Sequence, residues 1–192
     1  MRYKVLLIIS LMVFGFIGMG FSQTCNGGRN GVFRTYYENG NLKQEISYRK
    51  DLREGSFRAY YENGNLYEDG FYRNDVLDGS FRAYYEDGTL QESMFFKKGM
   101  ADGAYRFYYR DGTLKEDCYF KNDVMDGAYR LYYPDGTLEE SSYYRDDELD
   151  GQFRLYYPDG TLWEESFYKN GRQVGSFRVF FENGSLREEG FL

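Results

Sequence analysis

The chain is 192 residues long, and its 31 acidic against 24 basic residues give a formal net charge of −7, with no histidine and two cysteines. That balance excludes nucleic acid and makes direct binding to an anionic membrane unfavourable, because both depend on neutralising phosphate with Lys and Arg. The missing histidine removes the commonest general base and zinc ligand, and two well-separated cysteines leave a thiolate without a partner. No enzyme, metal or cofactor is therefore expected.

In chain order the first element is a basic start, Met1-Arg2-Tyr3-Lys4, followed by an apolar run from Val5 to Phe21 and then Ser22 ahead of Gln23. A basic n-region, an apolar h-region and the small-x-small sequence Gly20-Phe21-Ser22 read as a signal peptide over residues 1–22, cleaved after Ser22. A run of about 17 apolar residues also reaches the lower edge of a membrane span, so an uncleaved, membrane-anchored signal is the alternative. Either way the rest of the chain is expected to be exported through the inner membrane, to the periplasm, the cell surface or the medium. Cys25 stands near enough to suggest lipidation, but Ser22-Gln23-Thr24 precede it where that chemistry wants a small residue directly before the cysteine. Residues 23–30 are a polar, Gly-rich tether.

From Gly31 onward a 24-residue unit recurs without insertion or deletion, starting at Gly31, Gly55, Gly79, Gly103, Gly127, Gly151 and Gly175. The seven units, 31–54, 55–78, 79–102, 103–126, 127–150, 151–174 and 175–192, are stacked copies of one supersecondary element and not a single globular core. In the fifth unit the pattern reads Gly127-Ala128-Tyr129-Arg130-Leu131-Tyr132-Tyr133-Pro134-Asp135-Gly136-Thr137-Leu138-Glu139-Glu140. Two aromatic and branched runs around a Gly turn spell a β-hairpin. Pro134 and Pro158 pre-set the second position of a type I turn, and Gly136 and Gly160 supply the left-handed bulge, giving a three-residue loop.

Counting outward from that bulge places Tyr132 opposite Leu138 and Arg130 opposite Glu140. The expectation is a ladder on one face in which Arg58, Arg82, Arg106, Arg130 and Arg154 pair with Glu68, Glu92, Glu116, Glu140 and Glu164. The opposite face should carry Phe33, Phe57, Phe81, Tyr105, Tyr129, Phe153 and Phe177 with the apolar residues two positions on. A return strand ending in pairs such as Phe71-Tyr72 and Phe167-Tyr168 leads through a second turn into the next unit. The predicted fold is all-β, an elongated antiparallel hairpin array or open solenoid, a twisted meander of about fourteen strands. Burying an aromatic between hairpins is worth roughly 1.5–3 kcal/mol, an exposed Arg–Glu pair about 0.2–1 kcal/mol. The aromatic rows therefore hold the array together. Cys118 lies roughly 30 Å along it from Cys25 at ~4.8 Å per strand, so no disulfide between them is expected.

The column pattern Gly-x-aromatic-Arg-x-Tyr-Tyr-x-Asn/Asp-Gly-x-Leu-x-Glu resembles the MORN-repeat variant of bacterial proteins often named YwqK-family antitoxins. The resemblance covers residues 31–192 and implies hairpin arrays that bind proteins, some as the neutralising partner of a toxin, with no catalytic residue. The export signal departs from that picture, since the partner of a cytoplasmic toxin should stay inside.

Carboxylates alone could hydrolyse a glycosidic bond, but a catalytic pair occurs once in a pocket, whereas these acids recur every 24 residues. Asp146-Asp147-Glu148-Leu149-Asp150-Gly151 imitates a calcium loop, and Tyr157 stands where its bidentate acid should be. The row Tyr36, Tyr60, Tyr84, Tyr108, Tyr132 and Tyr156 reads first as packing beside the arginines. Specificity is expected in residues that break the repeat, and Trp163, Tyr67, Lys115 and Arg187 do so in one column on the aromatic face. The last strand, from Leu186, is an edge that Arg187, Glu188 and Glu189 blunt, or to which a partner adds a strand. The leading functional expectation is an exported, non-enzymatic scaffold that binds a protein, antitoxin- or immunity-like. A carbohydrate or cell-wall module using the Tyr and Trp rows, and a structural spacer, are the alternatives.

Overall fold

The computed structural model describes residues 28–192; the signal peptide, most of the tether and Cys25, with its lipidation and disulfide, lie outside the described residues. The first hairpins are β1 (Gly31–Tyr36) with β2 (Leu42–Arg49), β3 (Leu52–Tyr60) with β4 (Leu66–Arg73), and β5 (Val76–Tyr84) with β6 (Leu90–Lys97). The middle of the array is β7 (Met100–Ala101), β8 (Gly103–Tyr108), β9 (Leu114–Lys121), β10 (Val124–Met125), β11 (Gly127–Tyr132) and β12 (Leu138–Arg145). It closes with β13 (Glu148–Leu149), β14 (Gly151–Tyr156), β15 (Leu162–Lys169), β16 (Arg172–Phe180) and β17 (Leu186–Phe191). Pairing is antiparallel throughout one open sheet and joins chain neighbours, except that β7 and β8, β10 and β11, and β13 and β14 are successive halves of one strand, laid against β6, β9 and β12 respectively. The seventeen segments exceed the fourteen expected because three strands break one residue before the repeat glycine, at Asp102, Asp126 and Asp150, where the strand bulges.

Both turns follow local chemistry. In the hairpin loop the Gly136 amide bonds the Tyr133 carbonyl (2.9 Å), the Tyr133 amide bonds Thr137 (2.8 Å), and Gly136 sits at φ 85°, which is the expected type I turn with a glycine bulge. Pro134 occupies its second position and Pro158, ahead of Gly160, does the same one unit on; the Asp135 and Asp159 carboxylates each accept the amide two residues later at 2.8 Å. The turns between units are two-residue loops with both residues left-handed, as at Asp146 (φ 50°) and Asp147 (φ 63°).

Two further kinds of bond link successive units, the first at every junction and the second at some. The second tyrosine of each hairpin donates its hydroxyl across the loops to a backbone carbonyl of the following unit: Tyr37 to Tyr60, Tyr61 to Tyr84, Tyr85 to Tyr108, Tyr109 to Tyr132, Tyr133 to Tyr156 and Tyr157 to Phe180, at 2.6–2.9 Å. At the other edge, Asp75, Asp123 and Asp147 each accept the amide of a residue 22 positions earlier (Arg53, Ala101 and Met125) at 2.6–2.8 Å.

The aromatic face is the packed one. In six hairpins the third-column ring meets the ring that ends the return strand, from Phe33 with Tyr48 to Phe153 with Tyr168, at centroid separations of 4.7–6.0 Å. The central units bury Met94, Phe96, Tyr105, Cys118, Phe120, Met125 and Tyr129 into one cluster, and Cys118 is a buried free thiol. Burial pushes that thiol well above its ordinary range, so it packs as an inert apolar side chain.

The expected pairing of Arg130 with Glu140 is corrected by a second bulge. Tyr132 does pair with Leu138, but Leu131 then pairs with Glu140 and Arg130 with Ser141, leaving Glu139 unpaired. One extra residue reverses the parity of everything beyond it. The same shift places Glu68, Glu92, Glu116 and Glu164 opposite Ala59, Ala83, Phe107 and Leu155, on the aromatic face. The partners of Arg58, Arg82, Arg106 and Arg154 are the residues one position later.

Because the hydroxyl of Tyr133 holds two units together, Tyr133→Phe should lower unfolding stability in urea by about 1 kcal/mol without changing the circular dichroism spectrum.

Candidate protein-binding face

On the exposed face, arginines and acids alternate along the array in the register the bulge sets. Glu45 lies between Arg34 and Arg58 and reaches both at 3.2 Å. Arg82 places Nε and Nη2 on the two oxygens of Asp69 at 3.0 and 2.6 Å, the planar fork meeting a carboxylate. Asp117 bridges Arg106 (3.1 Å) and Arg130 (3.6 Å), and Glu165 bridges Arg154 (3.6 Å) and Arg178. Ser93 and Ser141 stand in two places where the acid would be.

Beside this ladder runs a second row that sequence reading did not single out. Phe71, Phe95, Tyr119, Tyr143 and Phe167 are 41–50% exposed, one in each of the second to sixth units. Their cross-strand partners are Ser56, Ser80, Ala104, Ala128 and Gln152, mostly small, which leaves about half of each ring in solvent. A glycine lies under four of them, Gly79 under Phe71, Gly103 under Phe95, Gly127 under Tyr119 and Gly151 under Tyr143: a Cβ on Gly103 (φ 151°) would come within 2.9 Å of the Phe95 Cβ. The row was readable from the return-strand pairs such as Phe95-Phe96, of which alternation must turn one ring outward. The first tyrosines, such as Tyr132 opposite Leu138, border the ladder on its other side.

Trp163, Tyr67, Lys115 and Arg187 turn out to be the unpaired bulge residues of their hairpins. Each covers the second aromatic of its own loop: Trp163 stacks on Tyr157 (5.7 Å), Tyr67 meets Tyr61 edge-on (5.0 Å), Lys115 lies over Tyr109 (5.5 Å) and Arg187 over Phe181 (5.8 Å). An unpaired residue has no cross-strand neighbour to match, which explains why this column varies. The fold strings these four along one edge and does not gather them into a pocket.

The displaced glutamates make a carboxylate row within the packed face. Burial raises Glu92 to about 7, with the charges of Glu116 and Glu68 adding to it, and burial also raises Glu68, Glu116 and Glu140. Ser142 donates to Glu140 at 2.6 Å, and Glu116 Oε1 is buried. The calcium-like run is otherwise engaged: Asp147 accepts the Met125 amide, and Asp150 is paired with Lys169 (3.0 Å) and Arg145 (3.4 Å). The hydrogen bond from Lys169 holds Asp150 below the usual carboxylate range. Among the described residues no group of three or more acids or cysteines is arranged to hold a metal ion.

A family model described as the MORN repeat variant matches seven successive segments, residues 29–50, 53–74, 77–98, 101–122, 125–146, 149–170 and 173–192. No curated protein matches the chain.

Between the ordinary carboxyl value of 4.5 and about 7, Glu92 binds more protons folded than unfolded. Its contribution to stability is thus fully present at low pH and is lost as pH rises through about 7, by at most about 1.4 kcal/mol per pH unit for one group. The turn acids Asp87, Asp111, Asp135 and Asp159 are held below 3.8, so their contribution fails only in stronger acid. Thermal midpoints should therefore fall from about pH 5 to about pH 7.5, and Glu92→Gln should flatten that fall.

Proposed function

The chain belongs to the MORN repeat variant family, and from that premise we propose that it is a non-enzymatic repeat scaffold that binds a protein through the arginine and aromatic face of its sheet. The observation that carries this reading is the row of half-exposed rings, Phe71 to Phe167, beside an unbroken row of arginines. Aromatic residues and Arg are the types enriched at protein interfaces, and an apolar strip of this length rimmed by charge is unusual on a surface that meets only water. The packed face and the two bonded edges already have structural work, so this face is the one left to a partner.

The signal-like N-terminus supports action outside the cytoplasm. An immunity-like role, neutralising a toxin in that compartment, is the finer form of the proposal and rests on the YwqK-family resemblance. A carbohydrate module is the second reading, favoured by Trp163, 40% exposed and stacked on Tyr157 on the opposite face.

The test is affinity capture by the full chain in crosslinked cells of its native host, compared with a variant carrying Phe95→Ser, Tyr119→Ser and Tyr143→Ser. These rings are exposed, so the variant should keep its spectrum and melt within a few degrees of the parent. One stoichiometric protein should be retained by the parent and lost by the variant. Retention of glycan with quenched Trp163 fluorescence, unchanged by the three substitutions, would replace the protein reading with the carbohydrate one.

A further inference from the structure

Ser93 and Ser141 break the ladder in equivalent ways. Ser93 pairs across the sheet with both Arg82 and Arg106, and Ser141 with both Arg130 and Arg154. The intact arrangement between them shows what such a position holds: Asp117 takes Arg106 on one side and Arg130 on the other. We propose that the two gaps are carboxylate-binding sites, at which an acidic segment of the protein partner supplies the side chains the ladder lacks. This rests on the reading of the exposed face as the protein-binding one.

Three features favour a carboxylate. The backbone register at 93 and 141 repeats that at 69 and 117, so each gap is flanked by two arginines as Asp117 is; each arginine keeps its pair with the acid on its far side (Arg82 with Asp69, Arg106 and Arg130 with Asp117, Arg154 with Glu165), and its five N–H donors leave some for a second carboxylate. Serine in place of an acid leaves room, and at Ser141 there is a shallow depression lined by Ala128, Tyr143, Gln152 and Arg154. Each gap also adjoins an exposed ring two residues along its own strand, Phe95 or Tyr143, giving an entering side chain an apolar wall.

The net negative charge of the whole chain does not oppose this. Charges interact over a Debye length of about 8 Å at physiological salt, so a carboxylate in a gap responds to its two flanking arginines and to the acids they already hold, Asp69, Asp117 or Glu165, and little to the rest of the chain. The gaps are four strands apart, roughly 19 Å. In an extended segment that is about six residues, so one short acidic stretch can enter both gaps, and the second contact then forms at high effective concentration.

The probe is an extended peptide of Gly, Ser and Thr with two glutamates six residues apart, against the same peptide with two glutamines. Binding to the full chain is read from the arginine Nε–H resonances by NMR, which registers weak complexes. The parent and Ser93→Ala/Ser141→Ala should prefer the glutamate peptide by about 10-fold or more, with Arg82, Arg106, Arg130 and Arg154 shifting together. Ser93→Asp/Ser141→Asp closes both gaps with the residue used at 69 and 117; it should keep its melting point and lose the preference. No preference in the parent, a preference that survives the two aspartates, or tighter binding of inorganic phosphate at the same arginines overturns the proposal. If cellular partner capture is lost on changing the aromatic row yet ignores the two aspartates, the gap proposal falls and the binding face stands. Capture that ignores the aromatic row removes the face itself.

Discussion

A hairpin of two strands cannot bury a core of its own, and in this molecule every unit depends on ring-to-ring packing with its neighbours along one side of a single sheet. Tyr105 and Phe120, or Tyr129 and Tyr144, are each buried only because the units before and after supply walls. That dependence sorts the rest of the sequence. Residues facing the packed side repeat in kind, Phe or Tyr, because packing needs the ring and not the hydroxyl. The second tyrosine column is stricter, Tyr in six units, because its hydroxyl bonds the next loop.

That contrast marks how far sequence reasoning reaches. Period, hairpins, the proline-glycine loop and the packed aromatic face all follow from residue types at fixed offsets. The partner of each arginine does not, because it depends on parity, and a single unpaired residue at Glu139 inverts parity for the rest of the strand. Nothing in the composition of Leu138-Glu139-Glu140 declares which of its residues leaves the ladder. The variable column was the available sign: position 139 is Tyr67, Lys115, Trp163 or Arg187 in other units, and a residue with no cross-strand neighbour is free to vary. Variation that read as a search for partner specificity is first of all the consequence of a bulge.

The inverted parity also changes what the glutamates do. On the exposed side they would have been solvated members of an ion-pair ladder, each adding little. On the packed side Glu68, Glu92, Glu116 and Glu140 are deprived of water among rings, and burial favours their neutral form. The acids on the exposed face, Glu45, Asp69, Asp117 and Glu165, take over the role expected of them and set the arginine register. Two acid columns one residue apart thus have opposite physical consequences.

Specificity in such an array has to come from departures, since whatever recurs in every unit serves the stack. On the packed side a departure is constrained by neighbouring rings, and on the bulge column it is absorbed by the loop tyrosine beneath. The exposed ladder is different, because serine in place of an acid there leaves the backbone register intact and removes the carboxylate from between two arginines, each of which keeps only the acid on its far side. The Ser93 and Ser141 substitutions are therefore small in structure and large in local charge. A surface that is self-neutralised over most of its length then carries two positive notches at a fixed spacing, a pattern that distinguishes one acidic partner from another by geometry more than by total charge.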